Sequence, residues 1–131
     1  MLNDSEYRKL IENTHLIAGY LAGKLNETRE PITIGFGEMK SYGMLTKKEY
    51  TLCIGHGCID VLANNGRTSL EFTVETDHRK DSTVCLFGNR CPASEQMMIK
   101  LCRDWQEIKS RISVALQAQQ KLRDMINNFE L

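Results

Sequence analysis

The cysteines and histidines of this 131-residue chain are the residues with the clearest capacity for chemistry. Cys53, His56 and Cys58 lie within the segment CIGHGC, and Cys85 and Cys91 follow further along the chain. A structural zinc site needs four thiolate or imidazole ligands in a tetrahedral arrangement, commonly from two close pairs. Neither pair here has the C-x-x-C spacing, and Cys53 and Cys58 would point to opposite faces of a continuous strand. We favour inert thiols, and whether a metal binds stays open.

Acidic residues on a predicted β-hairpin form a second candidate site. The dipeptide Asn65-Gly66 is typical of a two-residue type I′ turn between two strands. The register that this turn imposes pairs apolar residues on one face, Val61 with Leu70 and Ile59 with Phe72. A slip by one residue would mix apolar and polar side chains on both faces. The sequence therefore predicts this hairpin and its register.

The other face of the same hairpin carries residues that could bind a metal or a substrate. Asp60 would lie opposite Glu71, an arrangement that destabilises a sheet unless a positive group lies nearby. The same register brings His56 near Glu75, with Cys58 between the two pairs. A small enzyme or zinc protein that uses these five residues is our alternative hypothesis. A solvated sheet face with locally compensated charges is the simpler interpretation.

Glycine-rich turns and a few polar side chains predict a site for a small anionic, nucleotide-like ligand. The segment Phe87-Gly88-Asn89-Arg90 offers an aromatic ring, an amide and a guanidinium group. Arg67 at the predicted hairpin tip adds a second cation, and His56 lies between two glycines. Such groups can stack a base and bind phosphates. We therefore predict that Arg67, Phe87, Asn89, Arg90 and His56 bind the ligand.

The elements that must position these residues follow the order helix, short strands, long helix. We predict a single α+β domain over residues 1–131, with a helix in residues 1–28. Alternating apolar residues predict an antiparallel β-meander of about five to six short strands in residues 31–90. The expected strands are residues 32–37, 39–45, 49–54, 57–63, 67–75 and 82–87.

The predicted long helix, in residues 93–130, carries apolar residues at alternating steps of four and three. This heptad pattern is typical of coiled-coil packing. An unbroken helix over residues 94–129 would be about 54 Å long, whereas a compact domain of this size is about 36 Å across. The helix should therefore overhang its domain and make the protein a homo-oligomer, unless it breaks or folds back along the first helix. We predict an oligomer interface at Trp105, Ile112, Gln119, Leu122, Ile126 and Phe129.

Composition limits the functions that the chain can have. Seventeen basic residues balance seventeen acidic residues, which argues against a protein that coats nucleic acid or an anionic membrane. No apolar run approaches the roughly 20 residues of a membrane span, and no secretion signal is evident. We therefore expect a cytoplasmic protein with reduced cysteines.

These observations favour a non-enzymatic, homo-oligomeric binding protein. We find no phosphate-binding loop, dinucleotide fingerprint or serine-hydrolase elbow, and we expect no cofactor. Such a protein would sequester or inhibit a small anionic ligand or a protein partner, as an inhibitor of phage or mobile-element origin would.

Overall fold

The computed structural model describes residues 2–25, 27–39, 47–55, 57–64, 66, 69–76, 82–87 and 91–129. A helix precedes an antiparallel sheet and two helices follow it, which confirms the predicted α+β class. In chain order the elements are α1 (Asp4–Leu25), β1 (Ile32–Met39), β2 (Lys47–Gly55), β3 (Cys58–Ala63), β4 (Ser69–Thr76), β5 (Ser82–Phe87), α2 (Pro92–Arg103) and α3 (Trp105–Asn127).

The sheet is a meander in which each strand pairs with its neighbour in the chain. In the part of the chain that the structure describes, five strands pair in the order β1-β2-β3-β4-β5, and every pair is antiparallel. The expectation of up to six strands was too high. The second of the predicted strands was residues 39–45. Met39 is instead the last residue of β1, and residues 40–46 lie outside the described residues.

The hairpin between β3 and β4 has the predicted register. Ile59 lies opposite Phe72 and Val61 lies opposite Leu70, and all four side chains are buried. Gly66 has a φ of 77°, a conformation that glycine adopts without the steric penalty of a side chain. Its N–H donates to the carbonyl of Ala63 at 2.9 Å. The apolar alternation therefore has the predicted register. The hydrogen bond spans Ala63 to Gly66, one residue earlier than the turn predicted around Asn65-Gly66, and Asn65 and Arg67 lie outside the described residues.

The core lies between one face of the sheet and the three helices. Inward residues of the first four strands alternate with outward residues, as expected of a sheet with one buried face. Helices α1 and α2 and the first half of α3 supply the opposite wall of the core. Fully buried side chains from these elements include Leu21, Leu52, Ile54, Ile59, Phe72, Met97, Leu101, Ile108 and Ile112.

Helix α1 begins at a capping box formed by Asn3 and Glu6. The side chain of Asn3 accepts the N–H of Glu6 at 2.9 Å, and the carboxylate of Glu6 accepts the N–H of Asn3 at 3.1 Å. Further along the helix Ala18 and Ala22 are buried, whereas Gly19 is exposed. Close packing on this helix therefore uses its alanines.

The last two helices correct the prediction of an unbroken helix. Asp104 separates α2 from α3 and has φ −93° and ψ 7°. The hydrogen-bond ladder nevertheless continues, because the N–H of Asp104 donates to Lys100 and the N–H of Ile108 donates to Asp104, each at 3.0 Å. The interruption is therefore local, and the two helices follow one another along the same side of the sheet.

Among the helices of the described segments, none is both long enough and apolar enough to cross a bilayer.

Candidate functional site

The junction of α2 and α3 is attached to the free edge of the sheet. The N–H of Gly37 in β1 donates to the carboxylate of Asp104 at 3.1 Å, and the guanidinium of Arg103 donates to the same carboxylate at 2.8 and 3.1 Å. The hydrogen bond from Arg103, with the one from Gly37, lowers the pKa of Asp104 below its usual value. A carboxylate held in its charged form thus covers part of the edge strand.

Two further contacts attach α3 along the same edge. The guanidinium of Arg111 donates to the carbonyl of Gly35 at 2.6 Å. The amide of Gln119 donates to the carbonyl of Glu30 at 2.9 Å, and its oxygen accepts the N–H groups of Arg29 and Glu30 at 3.4 and 3.5 Å. Since an uncovered edge strand can pair with another chain, this cover protects β1. Helix α3 therefore follows the sheet as far as Gln119.

The heptad positions of these two helices are buried or partly buried at first and exposed at the end. Leu101, Ile108 and Ile112 are buried in the subunit's own core, and Trp105 and Ala115 are partly buried against it. Every residue from 124 to 129 is exposed. The first part of the seam thus packs within the subunit, and only its last part faces solvent.

We call the exposed last part of the seam the apolar tail, which consists of Leu122, Met125, Ile126 and Phe129. Their side chains are 59%, 53%, 63% and 70% exposed, respectively. Single exposed apolar residues are common on protein surfaces, whereas adjacent ones mark interaction sites. Steps of three and four along α3 place Leu122, Met125 and Ile126 on neighbouring positions of one surface, and Phe129 directly follows the C-cap residue Asn128. The apolar tail is therefore the candidate functional site.

A hollow lies at the start of the apolar tail, where α3 leaves the sheet. We call it the root hollow; its volume is about 180 Å³. It combines the apolar side chains of Leu122 and Ile126 with polar groups from the segment before β1. Its lining consists of Arg29, Glu30, Gln119, Leu122, Arg123 and Ile126. The contributions of residues 29 and 30 could not be found from the sequence, because no local pattern links them to a helix some ninety residues later.

The predicted interface residues therefore divide into two groups. Ile112 is fully buried in its own subunit, and Trp105 packs edge-on against Tyr20 with ring centroids 5.3 Å apart. Gln119 is hydrogen-bonded to the backbone of Glu30 in its own chain, so its amide is not free to pair across an interface. Leu122, Ile126 and Phe129 are the predicted interface residues that remain on the surface, with Met125 beside them.

The predicted ligand-binding residues fall almost entirely outside the described residues. His56, Arg67, Asn89 and Arg90 are not described, and of Phe87 only its place at the end of β5 is given. The strand order places the neighbours of His56, in the β2–β3 turn, at one end of the sheet. The ends of β3 and β5 lie at the other, and a strand of six residues spans about 20 Å. The described neighbours of His56 and those of the other predicted ligands thus lie at opposite ends of the sheet.

On the outward face of the hairpin Asp60 lies opposite Glu71, as predicted. Cys53 in β2 lies opposite Asp60 and extends the same row. Partial burial, followed by the nearby charge of Asp60, raises the pKa of the Cys53 thiol. Cys58 is exposed, and its thiol donates to the carbonyl of Gly55 at 3.2 Å. A thiol with a raised pKa is a poor nucleophile, so this row offers no activated cysteine at Cys53.

Metal binding finds no support among the side chains that the structure describes, since no three potential ligands group together there. His56, one of the predicted ligands, lies outside that set.

A larger cavity of about 490 Å³ lies between β1 and the junction of α2 and α3. Its charged side chains include Lys48, which pairs with Glu38 at 3.2 Å, and Arg103, which pairs with Asp104. Because these cations already have carboxylate partners, the cavity is a weaker candidate for an anion than its size suggests.

Searches against protein-family models, curated proteins and solved structures found no match for this chain.

Proposed function

We propose that this chain is a non-enzymatic, homo-oligomeric binding protein whose copies associate through the apolar tail. The observation that carries the proposal is the exposure of Leu122, Met125 and Ile126 on a helix whose earlier heptad positions are buried, and of Phe129 just after that helix. In this proposal the coiled-coil packing predicted from the heptad pattern takes place between copies, because the exposed end of the seam pairs with the same segment of another copy.

The magnitude of the apolar contribution supports an association of moderate strength. Burying a fully exposed large apolar side chain stabilises by about 1.5–3 kcal/mol, so each half-exposed to two-thirds-exposed residue of the tail contributes about 1–2 kcal/mol. The eight side chains of two tails then contribute roughly 8–16 kcal/mol. Association costs about 4–15 kcal/mol in lost freedom of motion. The two ranges are of similar size, so the tail can support a dimer whose affinity depends on the further contacts between the copies.

The binding activity in this proposal is the sequestration or inhibition of a small anionic, nucleotide-like ligand or of a protein partner. Arg67, Asn89 and Arg90 are its proposed ligand-binding residues, because their neighbours at the ends of β3 and β5 share one end of the sheet. We propose a separate contact for His56, whose neighbours lie at the opposite end. The phage or mobile-element origin and the cytoplasmic location stay predictions from sequence.

Native mass spectrometry of freshly purified full-length protein tests the assembly and the cargo together. We expect a mass that is a multiple of the 15.0 kDa chain mass, together with a bound anionic small molecule or partner protein. A bound metal ion instead would favour the alternative, a small enzyme or zinc protein that uses His56, Cys58, Asp60, Glu71 and Glu75. A bare 15.0 kDa species at micromolar concentration would contradict the proposal.

A further inference from the structure

We propose that the partner of the apolar tail is the tail of a second copy lying antiparallel to it, with Phe129 of each copy in the root hollow of the other. This inference rests on the proposed function and specifies the partner and its orientation. The two-fold axis would cross the pair of helices at the level of Asp124, so that Leu122 lies opposite the partner's Ile126.

The position of the globular part excludes the parallel arrangement. Ile108 and Ile112 occupy the same heptad seam as Leu122 and Ile126, and they are buried in the subunit's own core. The space in front of the seam, at the start of α3, is therefore filled by the subunit's own sheet and α1. In a parallel pair whose seams face each other, the first turns of the partner's α3 would have to occupy the space that the subunit's own sheet and α1 already fill. In an antiparallel pair the tails overlap and the two globular parts lie at opposite ends.

The root hollow is placed to receive the end of an antiparallel partner. With the axis beside Asp124, the partner's Phe129 lies at the level of Gln119, which lines the hollow. Phe129 is the most exposed residue of the tail at 70%, and an aromatic side chain gains most from burial. In a parallel pair Phe129 would meet the partner's Phe129 and the hollow would stay unfilled.

Charge complementarity favours the same orientation. The C-terminal end of a helix carries a partial negative charge from its unpaired carbonyl groups, and α3 has no basic residue in its last turn. Arg29 and Arg123 line the root hollow, and neither pairs with a carboxylate among the described residues. The Nε–H of Arg123 also donates to the carbonyl of Gln119 at 3.4 Å, and Gln119 lines the hollow as well. The antiparallel partner brings its helix end to these two cations.

The available apolar surface matches the requirement of a dimer. A standard interface buries about 800 Å² per partner, of which about 65% is apolar in homodimers, or roughly 500 Å². Each tail side chain, being more than half exposed, offers on the order of 100 Å². The tail therefore supplies about 400 Å², and the apolar wall of the root hollow supplies the remainder.

A charge-pairing experiment at Met125 tests the orientation. Met125 flanks the seam of Leu122 and Ile126, and in the antiparallel dimer it lies near the two-fold axis, next to the partner's Met125. In a parallel pair the two Met125 side chains would lie on opposite sides of the seam, where their charges would be far apart. The Met125→Glu and Met125→Lys variants should each dimerise at least tenfold more weakly than the wild type, because like charges meet. When the two variants are mixed in equal amounts, we expect native mass spectrometry to find mixed dimers well above the one-half of random pairing.

The outcomes separate this inference from the function on which it rests. If wild-type protein is monomeric at 100 µM, both fail. If the wild type dimerises but mixing the Met125 variants restores nothing, the antiparallel orientation is overturned while homo-oligomerisation stands.

Phe129→Ala gives an independent measurement of the proposed contact in the root hollow. It should weaken the dimer at least tenfold, whereas Val114→Ala, at an exposed position of the same helix, should leave it unchanged. Equal affinities of the two variants and the wild type would overturn the placement of Phe129.

Discussion

The N–H of Gly37 donates to the carboxylate of Asp104 across 3.1 Å and joins the edge of the sheet to the break between α2 and α3. This contact decides where α3 begins and which face of it meets the sheet. Because the helix is held there, its apolar positions are buried up to Ile112. The apolar tail then extends beyond the globular part, so this edge contact positions the candidate assembly surface.

Removing the Asp104 carboxylate should destabilise the folded protein. Asp104→Ala loses the hydrogen bonds to Gly37 and Arg103, and hydrogen bonds to a charged group contribute about 1.5–3 kcal/mol each when shielded. Since Arg103 is largely exposed, we expect a total loss of about 1–3 kcal/mol in the free energy of unfolding at pH 7. Urea denaturation measures it, with Glu12→Ala, a surface residue of α1, as the control.

The difference in stability between the wild type and Asp104→Ala should depend on pH. The folded-state pKa of Asp104 is lowered, by Arg103 first and then by the N–H of Gly37. Its contribution is therefore complete above the unfolded-state pKa of about 3.9 and is lost as the pH falls through the lowered value. The difference in stability between wild type and Asp104→Ala should narrow below about pH 4. A difference that widens on acidification would contradict this account.

Two glycine substitutions should change stability in opposite directions. Gly37 has a φ of 70°, and a Cβ there would lie 3.0 Å from the ring of Tyr50. We therefore expect Gly37→Ala to cost about 1–2 kcal/mol or more. Gly19 lies within α1 with nothing within 4 Å of an added Cβ, so Gly19→Ala should stabilise by up to about 1 kcal/mol. Thermal denaturation of both variants measures the contrast, and a shift of the same sign in both would contradict it.

The cysteines should differ in their reactivity toward alkylating reagents. Cys91 precedes α2, and hydrogen bonds with the side chain and backbone of Ser94 lower the pKa of its thiol. Burial raises the pKa of Cys102 and of Cys53. Because the thiolate is the reactive form, iodoacetamide at pH 7 should label Cys91 before the other two. Peptide mass mapping over time measures the order, and faster labelling of Cys102 would contradict it.

Much of the fold could be predicted from local patterns. The turn signal Asn65-Gly66 and the apolar alternation on either side of it predict the register that places Asp60 opposite Glu71. The capping box of Asn3 and Glu6 marks the start of α1. In both cases the information lies within a few residues, because the interactions that decide the structure are local.

The interruption of the long helix and the division of its seam were not predictable in this way. A heptad pattern records which residues are apolar, but it does not say whether they are buried by the same chain or by another copy. Ile112 is buried and Trp105 is partly buried within the subunit, because Asp104 and Arg111 attach the helix to the edge of β1. Those contacts join residues 67 and 76 positions apart, which no sequence window contains.

The most direct test of the central claim, association through the apolar tail, is sedimentation equilibrium of the wild type, Leu122→Glu and Val114→Glu over a range of concentrations. Leu122 and Val114 are similarly exposed on α3, at 59% and 62%, but Val114 lies outside the apolar tail. We predict that the wild type and Val114→Glu associate alike and that Leu122→Glu sediments as a monomer at the same concentrations. Association of Leu122→Glu with wild-type affinity, or a monomeric wild type, would contradict the account.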